Sequence, residues 1–259
     1  MNPDRVYDLL LDRVAEEKGA VAEAIIGLTW TLCRSEHASG LAMSPALATR
    51  TLPWSGTLAG RAMNDVAAWV RSWNPHEAAI GMAAANAAIN REIAVFATWW
   101  DLGDVLAPAN LAVFEHFKPA LKGKRVAVIG RYPGMERFGG EIDLSVLERQ
   151  PGEGDLPDPA CEYILPRSDW VFITASSIHN KTFPRLAELA RDAQTVLMGP
   201  GTPWLPELAE FGIDYLAGTR VVDGEALRTI VAEGGGVRIF GDGVRYFVAR
   251  VRAIEQRQS

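Results

Sequence analysis

Residues 169–200 read DWVFITASSIHNKTFPRLAELARDAQTVLMGP, and this stretch decides the fold. Residues 169–176 and 195–200 are apolar runs with the composition of buried strands, and residues 183–192 between them have the apolar spacing of a helix. Continuous apolar strands that are separated by helices are typical of a parallel sheet covered on both faces. The stretch therefore predicts a strand–helix–strand unit of an α/β fold.

The same alternation continues on both sides of this unit. Further strands are predicted at residues 125–130, 141–149 and 214–221, and further helices at residues 206–212 and 224–235. This is the pattern of a doubly wound, Rossmann-like sheet, which binds ligands beyond the carboxyl ends of its strands.

The first part of the chain follows a different order. A helix is predicted at residues 4–17, one long strand or a pair of strands at 21–36, and helices at 55–73 and 74–92, the last with Asn74 as its N-cap. Strands followed by helices indicate an α+β unit. The predicted domains are an α+β domain and a Rossmann-like α/β domain, at residues 1–95 and 96–259.

Composition limits the possible partners and the cellular location. The 259 residues are 48% hydrophobic and 22% charged, with a formal net charge of -6. An acidic chain without basic runs is a poor candidate for binding nucleic acid or an anionic membrane. The two cysteines, Cys33 and Cys161, form no disulfide framework, and no apolar stretch approaches the roughly 20 residues of a membrane span. We expect a cytoplasmic protein, with a homodimer as the default assembly.

The carboxyl ends of the predicted parallel strands mark the expected ligand site. Glycine and small hydroxyl residues recur there and let backbone amides approach an anion or a polar ligand. For Asn180 and Thr182 the alternative is that one of them caps the helix at residue 183. The predicted ligand-binding residues are Gly130, Arg131, Thr174, Ser176, Ser177, Asn180, Thr182, Gly199, Pro200, Gly201 and Thr202.

The turn after the first strand of the second domain argues against a dinucleotide. It reads GRYPGMERFGG, so Tyr132 stands where the fingerprint requires its middle glycine, and Pro133 removes an amide donor. Glu148 does lie where a ribose hydroxyl would be held. Because the glycine fingerprint fails, NAD(P) is not expected as a cofactor.

Cys33 and His179 are the best protein ligands if a transition metal is bound directly. The alternative for Cys33 is a small buried side chain, and His37 would lie roughly 13 Å away from it on a straight strand. If the protein is an enzyme, His179 would serve as the acid or base, with Lys181 or Arg131 as its electrostatic partner.

Asn86 and Asn90 lie four residues apart on a helix of small apolar residues. Buried asparagines need hydrogen-bond partners. Either both bond to neighbouring backbone, or their helix faces the second domain and lines a cleft between the domains.

An ordered set of motifs resembles a known family. In chain order they are GLTWT, AIGMAAANAAIN, VIGRYP, ERQPGEGDLPD, SDWVFITASSIHNKT, VLMGPGTPWLPEL and GIDYLAGTRV. From about Leu11 to Ile239 the chain resembles the putative heavy-metal chelation family. The resemblance implies an N-terminal domain similar to the enolase N-terminal domain, a Rossmann-like domain after it, and a site between the two.

The chain departs from the family pattern in one turn. Family members usually have glycine where this chain has Ala175, and they tend to have an apolar residue and glycine where it has His179 and Lys181. These departures predict a different ligand chemistry here.

Two main functions follow from these residues. The first is a protein that binds a small anionic ligand, a transition metal ion or a metal chelate between the domains, with Arg131 supplying positive charge. The alternative is a transferase or lyase that acts on a small polar metabolite in the same cleft. A third possibility is an oligomeric scaffold.

Overall fold

A computed structural model of the chain describes residues 2–90, 95–103 and 108–251. Its first half, residues 2–90, forms a three-stranded antiparallel sheet, ordered β1-β2-β3, against which helices pack. The elements are α1 (Arg5–Val14), β1 (Glu23–Ile26), β2 (Trp30–Arg34), β3 (Ser39–Met43), α2 (Met63–Ala67) and α3 (Pro75–Ile89).

Local sequence explains most of these elements. The predicted strand region 21–36 is a pair of strands, and Asn74 caps α3 by accepting hydrogen bonds from the backbone amides of residues 76 and 77. The helix predicted at residues 55–73 is wrong in its first part. Gly56 and Gly60 have φ values of 77° and 85°, a left-handed conformation that a helix does not contain, so helical structure starts only at residue 63.

The second half, residues 95–103 and 108–251, forms an eight-stranded sheet. Its strand order is β4-β11-β10-β9-β8-β5-β6-β7. All neighbouring pairs from β10 to β7 are parallel, and β11 pairs antiparallel with both β10 and β4. The elements are β4 (Trp99–Asp101), α4 (Ala112–Leu121), β5 (Arg125–Ile129), β6 (Asp143–Glu148), β7 (Leu156–Pro157), α5 (Cys161–Ile164), β8 (Trp170–Thr174), α6 (Ser176–His179), α7 (Phe183–Leu189), β9 (Gln194–Met198), β10 (Tyr215–Val221), α8 (Gly224–Ala232), α9 (Ile239–Asp242) and β11 (Val244–Arg250).

These elements confirm the predicted α/β class with its mostly parallel sheet. The helix predicted at residues 206–212 forms as the 3-10 helix Pro206–Phe211. No element was predicted from the sequence at β4, α4, β7, α5, α6, α9 or β11, and residues 150–160, which contain β7, were predicted to form a loop. Among these, β11 matters for the sheet, because it extends the sheet beyond β10 with an antiparallel strand, and β4 forms the edge beyond it.

The two faces of the large sheet are covered differently. On one face, Phe114 of α4 packs on Phe172, with ring centroids 5.0 Å apart. On the other face, Ile173 and Leu216 belong to the same cluster of buried apolar residues as Leu10 of α1. The two halves therefore share a hydrophobic core, which fixes the seam between them.

The membrane-span, domain-boundary and homodimer predictions have different outcomes. None of the helices in the described ranges has the length and apolarity needed to cross a membrane. The domain boundary at residue 95 and the homodimer remain predictions.

Candidate functional site

Several of the predicted ligand residues lie together at the carboxyl edge of the large sheet. Gly130 follows β5 so closely beside β8 that a Cβ on it would lie 3.3 Å from the Thr174 Cβ. The hydroxyls of Thr174 and Ser176 are 3.0 Å apart. Gly199, at φ 130°, lies beside Ala175. The strand-end rule therefore predicted correctly that these residues meet at one edge, and their role in binding a ligand remains a prediction.

Tyr132 fills part of this edge. Its hydroxyl donates to the Met198 carbonyl at 3.4 Å, and burial raises the pKa of the phenol. Tyr132 thus reaches from the end of β5 to the end of β9. Its neutral phenol lies at the position where the dinucleotide fingerprint has a glycine.

Arg131 uses its charge within the protein. Its guanidinium pairs with Asp155, whose side chain is 1% exposed. Its backbone amide donates to Glu148 Oε2 at 2.9 Å, and the Arg149 amide donates to Glu148 Oε1 at 2.7 Å. Both the positive charge expected to bind a ligand and the carboxylate expected at a ribose are thus occupied by internal contacts.

The loop at residues 199–202 is buried in the seam between the halves. The Gly201 carbonyl accepts from Asn86 Nδ2 at 2.8 Å, and the Thr202 carbonyl accepts from Asn90 Nδ2 at 2.9 Å. The two asparagines therefore bond to backbone carbonyls, and these carbonyls belong to the second half. Both alternatives for the helix, backbone bonding and a face towards the second half, thus hold together.

Close approach of β3 explains Gly201 itself. A Cβ on Gly201 would lie 3.2 Å from the Leu41 carbonyl oxygen and 3.3 Å from the Ala42 Cα. The Pro200 carbonyl in turn accepts from the Thr219 hydroxyl at 3.2 Å. This geometry supports a loop that joins the halves; it gives no support to an open cradle for a ligand.

His179 and Lys181 also lie in the seam. His179 is 7% exposed, and burial, followed by the charge of Lys181, lowers the pKa of its imidazole to about 4. Within the described residues its Nδ1 has no hydrogen-bond partner. The Lys181 ammonium donates to the Val70 carbonyl and lies 4.6 Å from the centroid of the Tyr7 ring, while burial lowers its pKa to about 8. The enzyme alternative that relies on this pair remains a prediction.

The turn between α6 and α7 is locally bonded. Asn180 Oδ1 accepts from the Thr182 amide at 3.1 Å and from the Thr182 hydroxyl at 2.7 Å. Ser177 is fully buried, and its carbonyl accepts from the same amide at 3.0 Å. Thr182 is the N-cap residue of α7, but its side chain makes no capping hydrogen bond, and Asn180 accepts from Thr182, which precedes the helix. The capping alternative is therefore wrong, and these bonds close the turn locally.

Cys33 lies in the core beneath the small sheet. Its thiol is 3.8 Å from the sulfur of Met63, and burial raises its pKa to about 12. A protonated thiol is a poor metal ligand, so the structure favours the buried side-chain alternative. His37 is exposed on the following turn. The described residues contain no group of three or more His, Cys, Asp or Glu side chains placed to hold a metal ion.

An open groove of about 640 Å³ lies on the other side of the 199–202 loop, between the two halves. One wall is the β2–β3 hairpin and the end of α3, and the other is the end of β10 and the start of α8. Pro200, one of the predicted ligand residues, lies between these walls. The lining consists of residues 34–41, Ala87, Asn90, Pro200 and residues 219–225.

Two arginines line this groove together with three acidic residues, which are Glu36, Asp223 and Glu225. Arg34 donates from Nη1 to Glu23 at 3.3 Å and from Nη2 to Glu225, and among the described residues its buried Nε has no acceptor. The Arg220 guanidinium lies over the Phe247 ring, 5.7 Å from its centroid. Within the described ranges Arg220 forms no ion pair. The groove thus offers cationic N–H donors to an anion.

Sequence reasoning noticed the end of β10 but did not select Arg220. The available signal was an arginine that ends a parallel strand beside a glycine and a threonine. Arg34 carried no comparable signal, because its role depends on contacts with α8.

The architecture is thus a mostly parallel sheet with helices, a separate antiparallel sheet, and a groove between the two halves. Family models described as "Putative heavy-metal chelation" match residues 7–89 and 112–250. The chain belongs to this family.

Solved structures agree with this assignment. A DUF364 protein of unknown function from Desulfitobacterium hafniense is 35% identical, with a TM-score of 0.80 over 95% of this chain and 98% of that chain. One from Pyrococcus horikoshii is 22% identical, with a TM-score of 0.75 over 97% and 100%, and shows the shared fold. An uncharacterised protein of Methanocaldococcus jannaschii is 36% identical over 112 residues, and the match spans 41% of this chain and 41% of that relative's length.

Proposed function

We propose that the protein binds a small anionic ligand, in particular an anionic metal chelate, in the groove between its two halves. One observation carries the proposal. Arg220 and Arg34 lie in the lining of the same open groove of about 640 Å³, and among the described residues Arg220 has no acidic partner.

The chemistry of the two side chains fits an anion. A guanidinium presents its N–H donors in a planar fork that matches a carboxylate or phosphate, and such charge-assisted hydrogen bonds are among the stronger ones in proteins. The groove lies within the range of roughly 300–1,000 Å³ that is typical of small-molecule sites.

The family description fits a metal that arrives already chelated. A chelate brings its own metal ligands, so the protein has to recognise only its shape and charge. Direct binding by Cys33 and His179 has less support, because both side chains are buried and the thiol stays protonated at neutral pH.

Isothermal titration calorimetry on tag-free protein tests the proposal. The probes are the Ni²⁺–nitrilotriacetate complex, citrate and Ni²⁺ alone. We expect the wild type to bind the anionic probes and Arg220→Gln to bind them at least about 10-fold more weakly, because a charge-assisted hydrogen bond is removed.

Arg191→Gln is the matched control. Arg191 is 75% exposed outside the groove and lies 3.8 Å from Asp192, so its removal should leave binding unchanged. Absence of binding to any anionic probe at millimolar concentration, or equal binding by Arg220→Gln and wild type, would overturn the proposal.

A further inference from the structure

The ion pair between Arg34 and Glu225 joins the two halves across the groove. Arg34 ends β2 in the first half, and Glu225 lies in the first turn of α8 in the second half. Both residues line the groove. An acidic side chain of the protein therefore already sits on one of the two arginines to which an anionic ligand would bind.

Glu225 is the exchangeable partner of Arg34. Its side chain is 75% exposed, whereas the side chain of Glu23 is 31% exposed and also accepts from Arg228 at 2.8 Å. Exposed ion pairs contribute little to stability. Glu225 can therefore leave Arg34 while Glu23 keeps the guanidinium in place.

Glu225 also accepts from only one of the two donors on one edge of the Arg34 guanidinium. The Nε and Nη2 groups lie on one edge of a guanidinium and can donate two parallel hydrogen bonds to one carboxylate. Here Nη2 donates to Glu225, while Nε has no acceptor among the described residues. A carboxylate that used both donors would replace one hydrogen bond by two.

We infer that the ligand carries at least two carboxylates, one of which displaces Glu225 from Arg34 while another pairs with Arg220. Glu225 then occupies the place of a ligand carboxylate and competes with it for Arg34. This inference rests on the proposed function, because it names the ligand class and the internal competitor of the same groove.

Titration calorimetry with citrate, acetate and inorganic phosphate at matched ionic strength tests this inference. Citrate should bind at least about 10-fold more tightly than acetate or phosphate, because only citrate offers two carboxylates. Glu225→Gln should tighten citrate binding about 5- to 10-fold, because the neutral amide competes poorly for Arg34.

Glu36→Gln is the control for simple charge removal. Glu36 lines the same groove and is 86% exposed, but its Oε2 contacts Nε2 of His37 at 3.7 Å and no arginine of the groove is its ion-pair partner among the described residues. General electrostatic relief would tighten citrate binding equally in both variants, whereas competition at Arg34 predicts a change of less than about 2-fold for Glu36→Gln.

The outcomes separate the two proposals. Equal effects of Glu225→Gln and Glu36→Gln, or no preference for citrate over acetate and phosphate, overturn the polycarboxylate inference. If Arg220→Gln still weakens anion binding in that case, the proposed function stands. If the wild type binds none of the anions or the nickel chelate, both proposals fail.

Discussion

The carboxyl ends of β9 and β10 lie side by side, yet they meet the first half of the chain in different ways. At the end of β9 the loop at residues 199–202 is buried, and Asn86 and Asn90 bond to its carbonyls. At the end of β10 the chain turns into an open groove that contains Arg220. A closed seam and an open groove thus share one sheet edge. The surface of the first half determines which strand end is covered and which is open to a ligand.

Gly201→Val tests the closed seam most severely. A Cβ on Gly201 would lie 3.2 Å from the Leu41 carbonyl oxygen, and valine adds two further carbons at a fully packed contact. We expect the free energy of unfolding to fall by about 3 kcal/mol, measured by urea denaturation. The matched control is Gly140→Val, because no atom lies within 4 Å of a Cβ built on Gly140. Wild-type stability of Gly201→Val would show that the seam is loose enough to admit a ligand.

The pH dependence of stability probes the same seam through His179. Burial lowers the pKa of its imidazole from 6.5 to about 4. Between these two pH values the imidazole is protonated in the unfolded chain and neutral in the folded chain. The contribution of neutral His179 to the free energy of unfolding is therefore fully present above pH 6.5 and is lost as the pH falls towards 4. Between pH 7 and pH 5 we expect a loss of about 2 kcal/mol from this residue.

The measurement is the slope of unfolding free energy against pH in His179→Gln, which should be flatter than in the wild type. His37→Gln is the control, since His37 is 77% exposed. An unchanged slope in His179→Gln would mean that the imidazole is hydrated and that the seam opens around it.

The two asparagines allow a graded test of the seam. Asn86 is fully buried and donates to the carbonyls of Leu41 and Gly201, both at 2.8 Å. Asn86→Ala would leave two buried carbonyls unpaired, for an expected loss of about 1–2 kcal/mol in thermal or urea unfolding. Asn90→Ala should cost about half as much, because Asn90 is only partly buried. A larger loss of stability in Asn90→Ala than in Asn86→Ala would show that Asn90 stabilises the seam more than Asn86 does.

The sequence predicted the sheet well because its signals are local. Continuous apolar strands, such as residues 169–176, and the Asn74 cap act within a few residues, and both appear in the structure. The break in the predicted helix at residues 55–73 was also local, but it depended on the positive φ values of Gly56 and Gly60, which composition alone does not specify.

The site was harder to predict because its decisive contacts are long-range. The bond from Asn86 to Gly201 joins residues 115 positions apart, and the pair of Arg34 with Glu225 joins residues 191 apart. The strand-end rule identifies an edge of the sheet. It carries no information about which strand ends the other half covers. The glycine-rich ends therefore led the prediction to the closed seam, and Arg220 of the proposed site was not selected.

Thr174→Val is the mildest test and separates the two regions by function. The Thr174 hydroxyl lies 3.0 Å from that of Ser176 at the strand ends beyond the closed seam, and Thr174 is outside the lining of the groove. The substitution keeps the shape of the side chain, so we expect a loss of about 0.5–1 kcal/mol in stability. Affinity for the Ni²⁺–nitrilotriacetate complex should stay within about 2-fold of wild type, whereas Arg220→Gln weakens it. Because the two side chains lie at different strand ends of one sheet edge, a larger loss of affinity in Thr174→Val than in Arg220→Gln would place the ligand at the ends of β5 and β8 and reverse the roles assigned here to the two regions.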